Sequence, residues 1–203
     1  MNRTYESPLR SEQQELTRQR ILEAVRDELS ERKPDELSFA SIATRSKISE
    51  RTVYRHFPTK EALMEAFWGW WIDGPFGIRV EEPVATAEFP AHIAKLYGAF
   101  DRHEPVSRAL VQSSVGREIR DRSRHRRLKM IEATLDDTTR KLAPAERKLA
   151  LSIFQMLQSV TTWQTLRDFR KLSGPEAAKA ASWATRVLMA ELRKNPKTFE
   201  DTP

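Results

Sequence analysis

Between Ser38 and Lys60 the chain sets five cationic side chains, Arg45, Lys47, Arg51, Arg55 and Lys60, against a single acid, Glu50, and interleaves them with hydroxyls, a phenol and an imidazole. Residues 12 to 36 mix both signs, so the positive charge is focused on this segment. Guanidinium, ammonium, phenol, imidazole and hydroxyl groups share one chemistry: each can donate to an anionic oxygen, and guanidinium can also bond the paired acceptors of a guanine edge. The formal net charge of +6 suits a polyanionic partner. The chemistry that these residue types point to is DNA binding.

The elements that must position them are two short helices. Ser38 is a good N-cap for the first, in which Phe39, Ile42 and Ala43 form a buried edge. The run breaks around Ser46, Lys47 and Ile48, and a second helix restarts at Ser49, turning Val53 and Phe57 inward and leaving Arg51, Thr52, Arg55 and His56 on other faces. Helices this short must pack on each other and on a neighbour, which is the helix-turn-helix arrangement, with the second helix in the major groove. Small Ala43 lets the two approach closely. The brace is an earlier helix with Ile21, Leu22, Val25 and Leu29 on one stripe, ending before Lys33 and Pro34. Base or groove contact then falls to Ser49, Glu50, Arg51, Thr52 and Arg55, with Arg51 the first choice for guanine, the Thr52 methyl for thymine, and Arg55 open to phosphate instead.

The order Ile42-Ala43, Ser49, Thr52-Val53-Tyr54-Arg55-His56-Phe57 and Lys60-Glu61-Ala62-Leu63 resembles the DNA-binding signature of the tetracycline-repressor (TetR) family of bacterial transcription regulators. The resemblance implies that Tyr54, His56 and Lys60 hold the phosphate backbone, together with Ser38 and Ser41 at the start of the first motif helix. It also implies a homodimer and a small molecule that releases DNA from a C-terminal domain. Where that family commonly has Ala-Gly before its turn, this chain has Ser46-Lys47, so the left-handed backbone that glycine takes freely must be strained or replaced.

The expected fold is all-α, an N-terminal three-helix helix-turn-helix domain followed by a C-terminal helical ligand-binding and dimerisation domain. Residues 1–11 read as a flexible arm, 12–58 as the DNA-binding domain, 59–74 as a linker helix capped by Thr59, 75–194 as the regulatory domain and 195–203 as a tail. Arg3 and Arg10 on the arm are within reach of a minor groove, or simply solvated. Beyond the Gly- and Pro-rich stretch of 74 to 90, one long helix after Arg117 carries Leu128, Ile131, Leu135 and Leu142 inward. The next, from Pro144, repeats Leu149, Ile153, Leu157 or Met156, Val160 and Trp163. The last carries Ala177, Ala181, Ala184 and Leu188 on one stripe and Trp183, Val187 and Ala190 on another. Leu157, Val160, Ala177, Ala181, Ala184 and Leu188 are the candidate dimer interface, two helices from each subunit making a four-helix bundle. Aromatic residues around the linker helix and the second domain, Trp68 and Phe76 among them, either fill a core or line an effector pocket; Phe67, Trp71, Tyr97, Phe100, Phe154 and Trp163 are the candidates for the latter.

The cluster from Arg117 to Lys129, seven Lys or Arg residues with His125, reads as the solvated face of a helix. The absence of cysteine excludes disulfides, thiolate zinc sites and cysteine nucleophiles. Four histidines, at 56, 92, 103 and 125, lack metal-ligand spacing, and His92 and His103 are expected to be solvent-exposed. No phosphate-cradling, zinc-protease or serine-nucleophile motif occurs, so no enzyme, metal or cofactor is expected. No apolar run approaches the roughly 20 residues that span a bilayer, and a cytoplasmic protein with no membrane partner follows as the expectation. The expected partners are a palindromic double-stranded operator, a second copy of the chain and an unknown small-molecule effector. The alternative is a DNA-binding regulator without a ligand: a constitutive repressor, an activator or an architectural binder.

Overall fold

A computed structural model describes residues 8–31, 36–79, 82–195 and 197–199 of the chain. Among them lie eleven α-helices and no strand. The head consists of α1 (Pro8–Glu31), α2 (Phe39–Ser46) and α3 (Glu50–His56), and α4 (Lys60–Asp73) leads out of it. The body follows as α5 (Phe89–Arg102), α6 (Glu104–Gln112), α7 (Ser114–Thr134), α8 (Asp136–Thr139), α9 (Pro144–Leu157), α10 (Val160–Phe169) and α11 (Gly174–Lys194).

The head closes because three apolar edges meet: Ile21, Leu22, Val25 and Leu29 of α1, Ile42 and Ala43 of α2, and Val53 with Phe57 at α3, all buried. A polar lock adds to it. Arg45 donates to the buried Glu28 (2.6 Å) and pairs with Glu31, tying α2 to α1, and Arg20 donates to the Ser46 carbonyl at 3.1 Å. In the body, α5 and α11 lie along one another, with Ala177 and Ala181 of α11 and Ile93, Leu96 and Tyr97 of α5 all buried. The small side chains let the two backbones approach. The buried Tyr97 hydroxyl donates to the Leu157 carbonyl at 2.9 Å, fastening the end of α9. Head and body abut through α1 on α6 and α4 on α7.

Five expectations are corrected. The arm of 1–11 is too long, since α1 begins at Pro8, a residue suited to the first turn, and Arg10 is helical; Arg3 lies outside the described residues. The long helix after Arg117 begins earlier, at Ser114, capped by the Ser113 hydroxyl, and ends at Thr134, so Leu135 and Leu142 sit in the turns around α8, while Leu128 is only half-buried. The helix from Pro144 breaks at Gln158, because Ser159 caps a new helix by accepting from the Thr162 N–H at 3.1 Å. The inward side chains of α9 are therefore Ala150, Leu151, Phe154 and Leu157, and Leu149, Ile153 and Met156 face outward. Finally, His92 is buried, stacked on Phe89 (6.4 Å between centroids, 12°), and His103 is half-buried with its ring edge-on to Trp71 at 4.8 Å.

Candidate nucleic-acid interface

The turn between α2 and α3 depends on Lys47, which takes the left-handed conformation (φ 56°, ψ 39°) in place of a glycine. Its N–H donates to the Thr44 carbonyl at 3.3 Å and the Ile48 N–H donates to the Ala43 carbonyl at 3.1 Å, which closes the end of α2. The strain expected of a non-glycine residue there is thus accepted rather than avoided, and it leaves an exposed ammonium at the turn.

Each helix of the motif is opened by its own hydroxyl. Ser38 Oγ accepts from the Ser41 N–H (3.0 Å) while Ser41 Oγ accepts from the Ser38 N–H (3.3 Å), a reciprocal box. Ser41 Oγ–H also donates to the Ser38 carbonyl at 2.9 Å, so Ser38 retains the freer hydroxyl proton. Ser49 Oγ accepts from the Thr52 N–H at 3.3 Å and lies 2.9 Å from the Thr52 hydroxyl. That pairing uses one of the two hydroxyl protons and leaves the other, together with the Thr52 methyl, as free chemistry toward a base.

Around these caps the candidate ligands converge. Tyr54 is 47% exposed and its ring stacks on Phe39 at 4.2 Å and 16°, which presents the phenol beside the Ser38 end of α2. Lys60 opens α4, a helix start that attracts anions through its dipole, with Thr59 Oγ1 accepting from the Ala62 N–H. His56 is half-buried at the end of α3; burial first, then the neighbouring cations Arg55 and Arg18, pulls its pKa below the ordinary value, with Glu15 opposing them. Glu50, Arg51 and Arg55 are exposed on α3, and among the described residues Lys47, Arg51 and Arg55 make no ion pair. Arg45, counted with them in the sequence, is committed to Glu28 and Glu31, which raise its pKa further.

The second site is a cavity of about 120 Å³ between the linker helix and the body. Of the six aromatic candidates for a pocket, Trp71 and Phe100 stand on its wall; Phe67, Tyr97, Phe154 and Trp163 are packed in the core instead. Trp68 and Ile72 of α4 and Phe76 complete an apolar side. Opposite stand Arg120 and Arg127 of α7 and Gln158 at the break between α9 and α10. These polar wall residues correct the reading of Arg117 to Lys129 as one solvated face: Arg120 and Arg127 are half-buried while Arg117, Arg122, Arg124 and Lys129 are exposed. Their signal was positional, because Arg120, Ser123 and Arg127 continue the inward stripe of Ile131 at helical spacing. Gly116 sets the approach of α7 to α6, since a Cβ there would lie 2.2 Å from the Leu110 carbonyl oxygen.

The dimer candidates pack into the core of the chain itself. Leu157, Val160, Ala177 and Ala181 are buried within one subunit and Ala184 with Leu188 is half-buried against the same core. The large apolar side chains left outward are Leu149, Ile153 and Met156 on α9 and Trp183 (59% exposed) and Val187 on α11, two helices in contact. Among the described residues there is no cluster able to hold a metal ion and no helix long and apolar enough to cross a membrane.

The family model for bacterial regulatory proteins of the tetR family matches residues 21–67, from the middle of α1 into α4. No curated protein matches the chain. Among solved structures, it is similar over 92% of its length to a tetR-family transcriptional regulator from Streptomyces coelicolor, of which 92% is covered, at 25% identity and a TM-score of 0.64. GusR from Salmonella enterica (22% identity, 95% of this chain and 100% of that one, TM-score 0.63) shares the fold. So does the dihydroxyacetone kinase operon activator DhaS, at 14% identity, 88% and 97% coverage and a TM-score of 0.58. Residues 21–67, the capped helix-turn-helix, thus match the family model of tetR-family bacterial regulatory proteins, and the chain as a whole is similar to a tetR-family transcriptional regulator.

Proposed function

We propose that this regulator is a repressor that binds a palindromic operator as a homodimer in the cytoplasm and is released by a small molecule held in the cavity beside α4. The observation that carries the reading is the composition of α4. Lys60, the candidate phosphate ligand, stands at its first residue, and Trp68, Trp71 and Ile72, about two to three turns away, form a cavity wall. Filling the cavity therefore acts on the helix that grips DNA. An effector that favours the non-binding conformation by about 3 kcal/mol loosens the operator about a hundredfold.

Pairing rests on the outward apolar rows of α9 and α11. Five large exposed apolar side chains on two touching helices exceed what a lone subunit leaves in water, and one head reads only a half-site. In this reading Ser38, Ser41, Tyr54, His56 and Lys60 hold phosphates while Ser49, Glu50, Arg51, Thr52 and Arg55 face the groove, Arg51 bonding guanine. Repression follows from an operator overlapping a promoter, and since an operon activator shares the fold, the sign is read from transcription itself. Selection of bound sequences from random DNA tests the reading, followed by transcription in vitro from a promoter bearing the consensus. A two-fold consensus and reduced transcript support it; a consensus without two-fold symmetry, or a transcript that rises on binding, overturns it.

A further inference from the structure

The cavity wall opposite the aromatic side chains is cationic and carries polar atoms without partners. Gln158 is 7% exposed, and neither its Oε1 nor its Nε2 has a hydrogen-bond partner in the protein; the indole Nε1 of Trp68, 2% exposed, has none either. Buried polar groups left in this way are costly, so a site that retains two of them at one cavity is built for something that satisfies them. Arg120, also on the wall, donates to the Leu110 carbonyl, and the ion pairs among the described residues include none to it. No Asp or Glu lines the cavity. Burial pulls the Arg120 guanidinium below its ordinary pKa, with Arg117 adding to the effect and the neighbouring Asp121 offsetting part of it.

Resting on the reading of this cavity as the effector site, we infer that its ligand is a single-ring aromatic carboxylate, the ring against Trp68, Trp71 and Phe100 and the carboxylate on Arg120 within reach of Gln158. Size admits no more than a single ring: an apolar cavity of about 150 Å³ accommodates benzene, and this one is about 120 Å³. Aromatic walls favour a planar face over an aliphatic chain through offset stacking. The carboxylate supplies two acceptor oxygens, which match the guanidinium fork and can also take the Gln158 amide proton. A neutral group of the same shape would leave Arg120 unpaired.

The test uses benzoate and its neutral isostere benzamide, titrated into the full-length protein and followed by tryptophan fluorescence and calorimetry. Wild type is expected to bind benzoate about 10- to 100-fold tighter than benzamide, the range for a charge-assisted hydrogen bond at a buried site. In Arg120→Gln the preference disappears while benzamide binds as before, which also shows that the variant is folded. Gln158→Leu weakens benzoate and leaves its preference over benzamide in place. Equal affinity for the two probes in wild type, or a preference that survives Arg120→Gln, overturns the carboxylate assignment and leaves the cavity reading standing. Failure of both probes to bind at millimolar concentration overturns the assignment and the cavity reading together.

Discussion

A β-carbon in the left-handed region costs about 1–2 kcal/mol, and Lys47 carries that cost at the turn of the DNA-binding motif. Replacing it with glycine removes the clash but frees the unfolded chain, so Lys47→Gly is expected to stabilise the head by up to about 1 kcal/mol in urea denaturation while weakening DNA binding through the lost ammonium. A lower unfolding midpoint would show that the lysine side chain contributes more to the fold than its backbone costs. On α3, Arg51→Ala is expected to weaken the specific site by about 1–3 kcal/mol and relax one base position, whereas Lys60→Ala weakens specific and random DNA alike. Fluorescence anisotropy on both DNAs separates the two, and equal losses for Arg51→Ala would remove it from base reading. The histidines set an acid limit. His56, His92 and His103 all have pKa values below the ordinary one, each chiefly through burial, with Lys95 adding at His92 and Arg102 and Arg26 at His103. The unfolded chain therefore binds protons first, and stability present above about pH 6.5 is lost as pH falls through the folded values. The melting temperature is expected to drop between pH 7 and 5.5, and the slope to flatten in His92→Leu.

At the scale of elements, Gly116 and the break at Gln158 shape the cavity. A methyl at Gly116 would meet backbone at 2.2 Å, so α7 must move away from α6, taking Arg120 from the Leu110 carbonyl. Gly116→Ala is expected to cost about 1–3 kcal/mol in thermal or urea unfolding, the range for forced overpacking; an unchanged midpoint would mean that α7 slides freely. The motif helices were legible because each announces itself with a serine cap and a short apolar edge, Ser38 with Ile42 and Ser49 with Val53. The α9–α10 break was not. Gln158-Ser159 has neither glycine nor proline, and Leu149, Ile153, Val160 and Trp163 are spaced as one continuous stripe. The Ser159 cap is a local signal of the same kind as Ser38 and Ser49, masked here by the unbroken stripe, and the seating of Phe154 in the core, a tertiary outcome, turns Ile153 outward. Arg120 and Arg127 hid for a related reason. Their charge suggested solvent, although their register placed them on the buried stripe.

For the whole molecule, the outward rows on α9 and α11 predict the state of assembly. Ile153→Glu with Trp183→Glu is expected to give a 23.5 kDa species in sedimentation and to lose the operator while each head keeps weak affinity for random DNA. A double variant that still sediments as a dimer would place the interface elsewhere. The Arg45 lock bears on the ionic atmosphere of the DNA as well. A guanidinium already neutralised by Glu28 and Glu31 releases no counterions from DNA on docking, so Arg45 drops out of the count of phosphate-range cations in each head. With two heads, the plot of log affinity against log salt should be shallower by about 2 than a count that includes Arg45 would give. How steeply this regulator responds to the salt around it is thus fixed partly by two glutamates that never approach the DNA.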